Sequence, residues 1–142
     1  MSARQSFLES SYQQLNLVED SIAYKSVTLD GTVASYTGCD FDQMGLDARA
    51  KLDAESYDYS SFDMITFYIP HDAVLGCGWG GVAYVGGEYS WERVSSANTL
   101  AHELGHSLGV FHAASELNND MQQVCVACYI VLYFIVLYGG ES

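Results

Sequence analysis

The chain is poor in positive charge. Five Lys and Arg stand against 18 Asp and Glu, a formal net charge of −13 over 142 residues. Phosphate backbones are held by clustered bases, so nucleic acid is not an expected partner. The acids are spread along the chain (Asp40, Asp42, Asp47, Asp53, Asp58, Asp63, Asp72) and form no run. They read as a solvated surface, and no EF-hand spacing is present. A single proline, with no repeat and no low-complexity tract, leaves no long linker, and the length suits one domain with one core. Only four cysteines occur, Cys39, Cys77, Cys125 and Cys128, and they allow three pairings. The opening "MSARQSFLESS" lacks the apolar core of a signal peptide. The expectation is that the protein stays in the cell or that the chain is a piece of a longer precursor.

What is present reads as alternating elements. Residues 3–15 predict a helix, with Phe7, Leu8, Tyr12 and Leu15 on or near one face. Residues 21–36 read as strands around a tight turn at Asp30-Gly31. Residues 41–54 predict an amphipathic helix, because Phe41, Met44, Ala48 and Leu52 recur at three- and four-residue steps. "FDMITFYI" (62–69) is β-branched and aromatic, a buried strand that Pro70 ends. A glycine-rich loop, "GCGWGG", leads to a short strand "VAYV" (82–85). A last helix should run from about residue 97 to Leu108, with serines or Asn98 as N-cap and Gly109 as its stop. This order predicts an α+β fold, an α/β-like sandwich with helices on a twisted sheet.

The chemistry is concentrated in "LAHELGHSLGVFHA" (100–113). His102 and His106 are four residues apart, so a helix puts both imidazoles on one face. Gly109 can adopt the left-handed conformation that ends a helix, and the chain can then bring His112 back as a third nitrogen. Three protein ligands and one open position make a catalytic zinc site, whereas structural zinc sites close with four. Glu103, beside the ligands, is placed to act as general base toward water activated by Zn2+. The expected reaction is peptide hydrolysis without a covalent intermediate, with the metal stabilising the oxyanion. The pattern HExxHxxGxxH fixes five positions, a chance of about one in a few million per start at ~5% usage of each residue type. His71, between a strand and a loop, reads as an ordinary histidine.

HExxHxxGxxH is the metzincin signature. The segment before it, "CGWGGVAYVGGEYSW" (77–91), resembles the gametolysin (autolysin) family, and "YDYSSFDMITFYIP" is similar to that family's strand leading into the same loop. The resemblance spans roughly residues 5–113. It implies a secreted zinc metalloendopeptidase, extracellular or at the cell surface, that acts on protein or peptide substrates. It implies a metzincin-type upper subdomain: a mostly parallel sheet, an antiparallel edge strand and a zinc-binding helix, with the lower subdomain short or missing. Carried over residue by residue, it makes His102, His106 and His112 the ligands, Glu103 the base and Gly109 the turn glycine. Val82, Ala83, Tyr84 and Val85 match the edge strand along the cleft, where an extended substrate pairs by main-chain hydrogen bonds. Trp79, Tyr84 and Trp91 read as core packing or as walls of the cleft. Met121 is the residue offered for the methionine turn beneath the metal.

Residues 1–123 then form the catalytic domain, in part at least, and 124–142 an apolar tail. The stretch "VCVACYIVLYFIVLY" (124–138) has no charge and is shorter than the about 20 residues of a spanning helix. Three readings stand: a buried strand or helix, a short membrane or lipid anchor, or an end foreign to the family. The alternative function follows from the third: a truncated chain that holds zinc without turnover, an interaction protein, with membrane association through 124–138 as a further variant. Neither the CxxC of Cys125 and Cys128 nor its context supports a zinc ribbon or a redox motif.

Overall fold

The computed structural model describes residues 22–69, 75–112 and 132–138, together with residues 2, 5, 8, 9, 16, 17, 129 and 130. The helix expected over 3–15 lies outside the described residues except at three positions, and His71, Met121, Cys125 and Cys128 lie outside them altogether. In chain order the elements are β1 (Asn16–Leu17), β2 (Ala23–Thr28), a 3-10 turn (Val33–Tyr36), α1 (Phe41–Ala54), β3 (Met64–Tyr68), β4 (Gly81–Ala83), β5 (Tyr89–Glu92), α2 (Ala97–Ser107), β6 (Tyr129–Ile130) and β7 (Leu132–Tyr138). Among the described residues the fold is α+β, with a small mixed sheet and two long helices, α1 and α2.

The main sheet has the order β2-β7-β3-β5-β4. Its first four strands are parallel neighbours, and β4 runs antiparallel to β5 at the edge. A second, two-stranded sheet pairs β1 with β6 in parallel. The tail expected as strand, anchor or foreign end contributes β7, which lies between β2 and β3. Ser26 of β2 is aligned with Val136, and Thr66 of β3 with Phe134. The uncharged run 132–138 is the composition of a parallel strand covered on both faces. Among the described residues no helix is long and apolar enough to cross a membrane.

The helices cover opposite faces, as the strand alternation requires. Ile65, Phe67 and Trp91 face α1, whose buried residues Met44, Ala48 and Leu52 are the three- and four-step set expected from the sequence. The indole of Trp91 stacks on Phe67 with centroids 5.6 Å apart. It reaches α1 at Gly45, where an added Cβ would lie 3.2 Å from the ring. Asp40 caps the helix by accepting from the Gln43 N–H at 3.2 Å. On the other face Met64 packs with Leu104 of α2. There the Thr66 and Ser90 hydroxyls share a buried hydrogen bond of 2.8 Å.

Three local expectations are corrected. Residues 33–36 form a 3-10 turn and do not return as a strand. The cause is Tyr36, which is buried, lies over Gly31 and donates its hydroxyl to Asp47 of α1 at 2.7 Å. The strand expected over 82–85 covers Gly81–Ala83 and stops there. Tyr84 to Gly87 make a tight turn closed by the Gly87 N–H on the Tyr84 carbonyl (2.9 Å), with Gly86 at φ +71°. Finally, Tyr89–Glu92 is a strand that the sequence reading did not mark. Of the three cysteine pairings, the structure contains Cys39–Cys77, which ties the start of α1 to the glycine-rich loop.

Candidate metal centre

The local sequence of α2 builds the site. Ser96 caps its start by accepting from the Thr99 N–H at 3.3 Å. Its end is a Schellman closure: the Gly109 N–H donates to the His106 carbonyl (2.8 Å) and the Val110 N–H to the Gly105 carbonyl (3.0 Å). Gly109 is at φ +89°, the left-handed conformation that side chains resist. Beyond it the chain reverses, which brings His112 back to the helix.

The result is a compact triangle. The Nε2 atoms of His102, His106 and His112 are 3.0 Å from one another in all three pairs. The His106 ring is fixed from behind, since its Nδ1 lies 2.7 Å from the Val110 carbonyl. A carbonyl only accepts, so Nδ1 carries the proton and Nε2 presents its lone pair to the cluster. His106 is buried, while His102 and His112 are exposed to solvent. Metal–imidazole bonds of about 2.0–2.1 Å put tetrahedral ligand nitrogens roughly 3.3 Å apart, so the triangle fits an ion of zinc's size. The three histidines can therefore hold a metal ion, with one side open to solvent.

Glu103 is 5% exposed on the sheet side of the helix. Burial raises its carboxyl above the ordinary range, and the three histidines pull it back down. The side chain stands over Gly81 of β4. The β4–β5 turn is tied to the same helix end, because the Gly86 N–H donates to the His106 carbonyl at 2.9 Å.

Of the residues expected to matter, the structure brings His102, His106, His112 and Glu103 together. Val82 and Ala83 lie in β4, the last strand of the sheet. Tyr84 and Val85 fall in the turn, both exposed, and the Tyr84 hydroxyl donates to the Asp42 carboxylate at 2.9 Å. Trp91 is core, and Trp79 packs at the core's margin. Two neighbours of the site have no role that the sequence assigns. Gly81 is one. Glu92 is the other: it is 2% exposed, neither carboxylate oxygen has a hydrogen-bond partner among the described residues, and its carboxyl is pushed up to about 8, first by burial and then by the charge of Glu103. Only the register of β5 against β4, which pairs Glu92 with Gly81, reveals that both lie under α2.

No curated protein and no solved structure matches the chain. A family model does: that of gametolysin peptidase M11, over residues 2–124, which includes the whole histidine cluster, Glu103 and the helix α2. With that match over most of its length, the chain belongs to the gametolysin peptidase M11 family, a family of metallopeptidases.

Proposed function

We propose that the chain is a zinc-dependent endopeptidase that cuts extended segments of proteins, with Glu103 as general base. The observation that supports it is the triangle of three Nε2 atoms 3.0 Å apart, with a buried carboxylate on the next residue of the same helix. Imidazole sets suit several transition metals. Zinc is the choice because three ligands plus an open position is its catalytic arrangement, in which it supplies a Lewis acid and acidifies a water molecule.

The chain's own residues do the rest. His102, His106 and His112 hold the ion, and the Val110 carbonyl keeps the His106 ring in the ligating tautomer. Glu103 takes a proton from the attacking water and returns it to the leaving amine. Its burial keeps the basicity that this transfer needs, since a carboxylate raised above its ordinary range is a better base near neutrality. The outer edge of β4 at Val82 and Ala83 offers main-chain groups to an extended substrate, which adds a strand there. Tyr84 and Val85 extend that edge into the exposed turn above the helix end. We further propose that the chain works outside the cytoplasm, where the Cys39–Cys77 bond persists.

The test is to express the chain, count its zinc and assay cleavage of an unfolded protein. About one zinc per chain is expected, with activity lost to a chelator. Glu103→Ala should keep the zinc and lose on the order of 10²–10⁴ in kcat. Hydrolysis that survives both treatments refutes the mechanism. Full zinc occupancy without hydrolysis in the parent chain identifies a zinc-binding protein instead.

A further inference from the structure

We propose that Gly81 is the positioning residue for Glu103, a socket of missing side chain into which the stem of the base is set. This rests on Glu103 being the base, as argued above. A Cβ added at Gly81 would lie 2.7 Å from Glu103 Cγ, 3.0 Å from its Oε1 and 2.9 Å from Thr99 Cγ2. Carbon atoms do not approach that closely without something shifting. Thr99 and Glu103 are one turn apart on α2, so both meet the strand on the same helix face.

The requirement is steric and local. Gly81 is not among the residues with positive φ, so its backbone conformation suits any residue. Its neighbours impose much less. A Cβ at Gly80 would meet the end of Val94 at 3.1 Å, and one at Gly78 would meet nothing within 4 Å. Among these three glycines of the loop and edge strand, the demand is sharpest where the base stands.

The surroundings leave α2 little freedom to move away. Its far end is bonded to the β4–β5 turn through Gly86 and His106, and Leu104 is sealed in the core at 1% exposure. A methyl group at Gly81 would therefore be accommodated mainly by turning Glu103 out of its place. None of the three atoms nearest that Cβ belongs to a histidine, so the metal should stay. Gly81 also belongs to the strand proposed to pair with substrate, which makes one glycine responsible for the distance between substrate edge and base.

The experiment compares Gly81→Ala with Gly78→Ala and Glu103→Ala. Gly81→Ala should bind about one zinc and keep KM within a few-fold, with kcat down on the order of 10- to 100-fold, the scale of a misplaced catalytic group. Gly78→Ala should match the parent. Replacing zinc by Co2+ gives a readout independent of turnover: the visible spectrum of Gly81→Ala should move toward that of Glu103→Ala, whereas Gly78→Ala keeps the parent spectrum. Should Gly81→Ala fail to fold, Gly81→Ala/Thr99→Ala relieves the Thr99 contact, leaves Glu103 as the clash and is read the same way. Parent-like kcat and spectrum overturn the proposal. So does loss of zinc in a chain that still melts cooperatively, since the glycine would then support the ligands and not the base. A parent chain with full zinc and no turnover would refute the peptidase reading alone, and the Co2+ spectra would still decide the role of Gly81.

Discussion

Glu92 allows a quantitative test of how the sheet under α2 is built. The residue is 2% exposed, its carboxylate oxygens have no hydrogen-bond partner among the described residues, and its carboxyl is pushed from 4.5 to about 8, by burial first and by Glu103 second. The folded chain therefore holds a proton that the unfolded chain releases between those two values. Where the folded state binds more protons, stability falls as pH rises. The contribution is fully present below about 4.5, and is lost as pH climbs through the window up to about 8. Integrated, this costs ~2.5 kcal/mol between pH 5 and 7 and ~4 kcal/mol by pH 9. Glu92→Gln keeps the shape and removes the charge, so it should be nearly neutral at pH 5 and more stable than the parent by ~3 kcal/mol at pH 8, about 10 °C in Tm for a chain of this size. Thermal and urea unfolding at pH 5, 6, 7 and 8, all in chelator so that metal binding adds no pH dependence, measure the difference. A gap between parent and variant that is the same at pH 5 and pH 8, or a variant less stable at pH 8, refutes the account of Glu92 as a buried acid kept neutral.

Other perturbations have equally definite outcomes. Adding zinc at a thousand times its dissociation constant should stabilise the fold by ~4 kcal/mol, read as a rise in Tm that His106→Ala abolishes. Reducing Cys39–Cys77, whose partners are 38 residues apart, should cost ~4 kcal/mol by the chain-entropy estimate, seen as a lower urea midpoint in reductant. Gly109→Ala must force a side chain into φ +89° at a cost of about 1–2 kcal/mol. It should also weaken zinc binding, measured by competition with a chelating dye, because His112 depends on that turn.

How far the molecule was legible in its sequence depends on how local each feature is. The bounds of α1 were readable because its three- and four-step apolar spacing lies within the helix itself. β3 was readable from its β-branched and aromatic run, and the ligand set because its three histidines span eleven residues of helix and turn. β5 was not readable. "YSWE" is short, polar at two positions and ends in a carboxylate, and it becomes a strand because β3 and β4 pair with its two sides. The 3-10 turn at Val33–Tyr36 depends on Asp47, eleven residues beyond the tyrosine it bonds. Tyr84 and Val85 have strand propensity, yet they follow the two glycines behind them into a turn that bonds the helix end. Gly81 and Glu92 became visible only through the register of two strands against a helix.

The same distinction separates the metal site from the sheet that supports it. β3, β4, β5 and α2 all come from residues 64–107, and with the turn to His112 this stretch carries the three histidines, Glu103 and the edge strand. Within it the β4–β5 turn and the step from β5 to α2 are short, and the geometry rests on local caps and turns, the antiparallel β4–β5 pair and the parallel β3–β5 pair. The other half of the sheet is assembled differently. β2 and β3 are consecutive in the main sheet's chain order but are not paired; β7, from residues 132–138, stands between them and pairs with both in parallel. Parallel strands form no hairpins, and each such contact must close a long loop before it contributes. The uncharged tail is thus the costliest part of the sheet to place. The histidine triangle owes its shape to the helix and its turn, whereas Glu92 owes its place beneath α2 to a strand held between a parallel and an antiparallel partner.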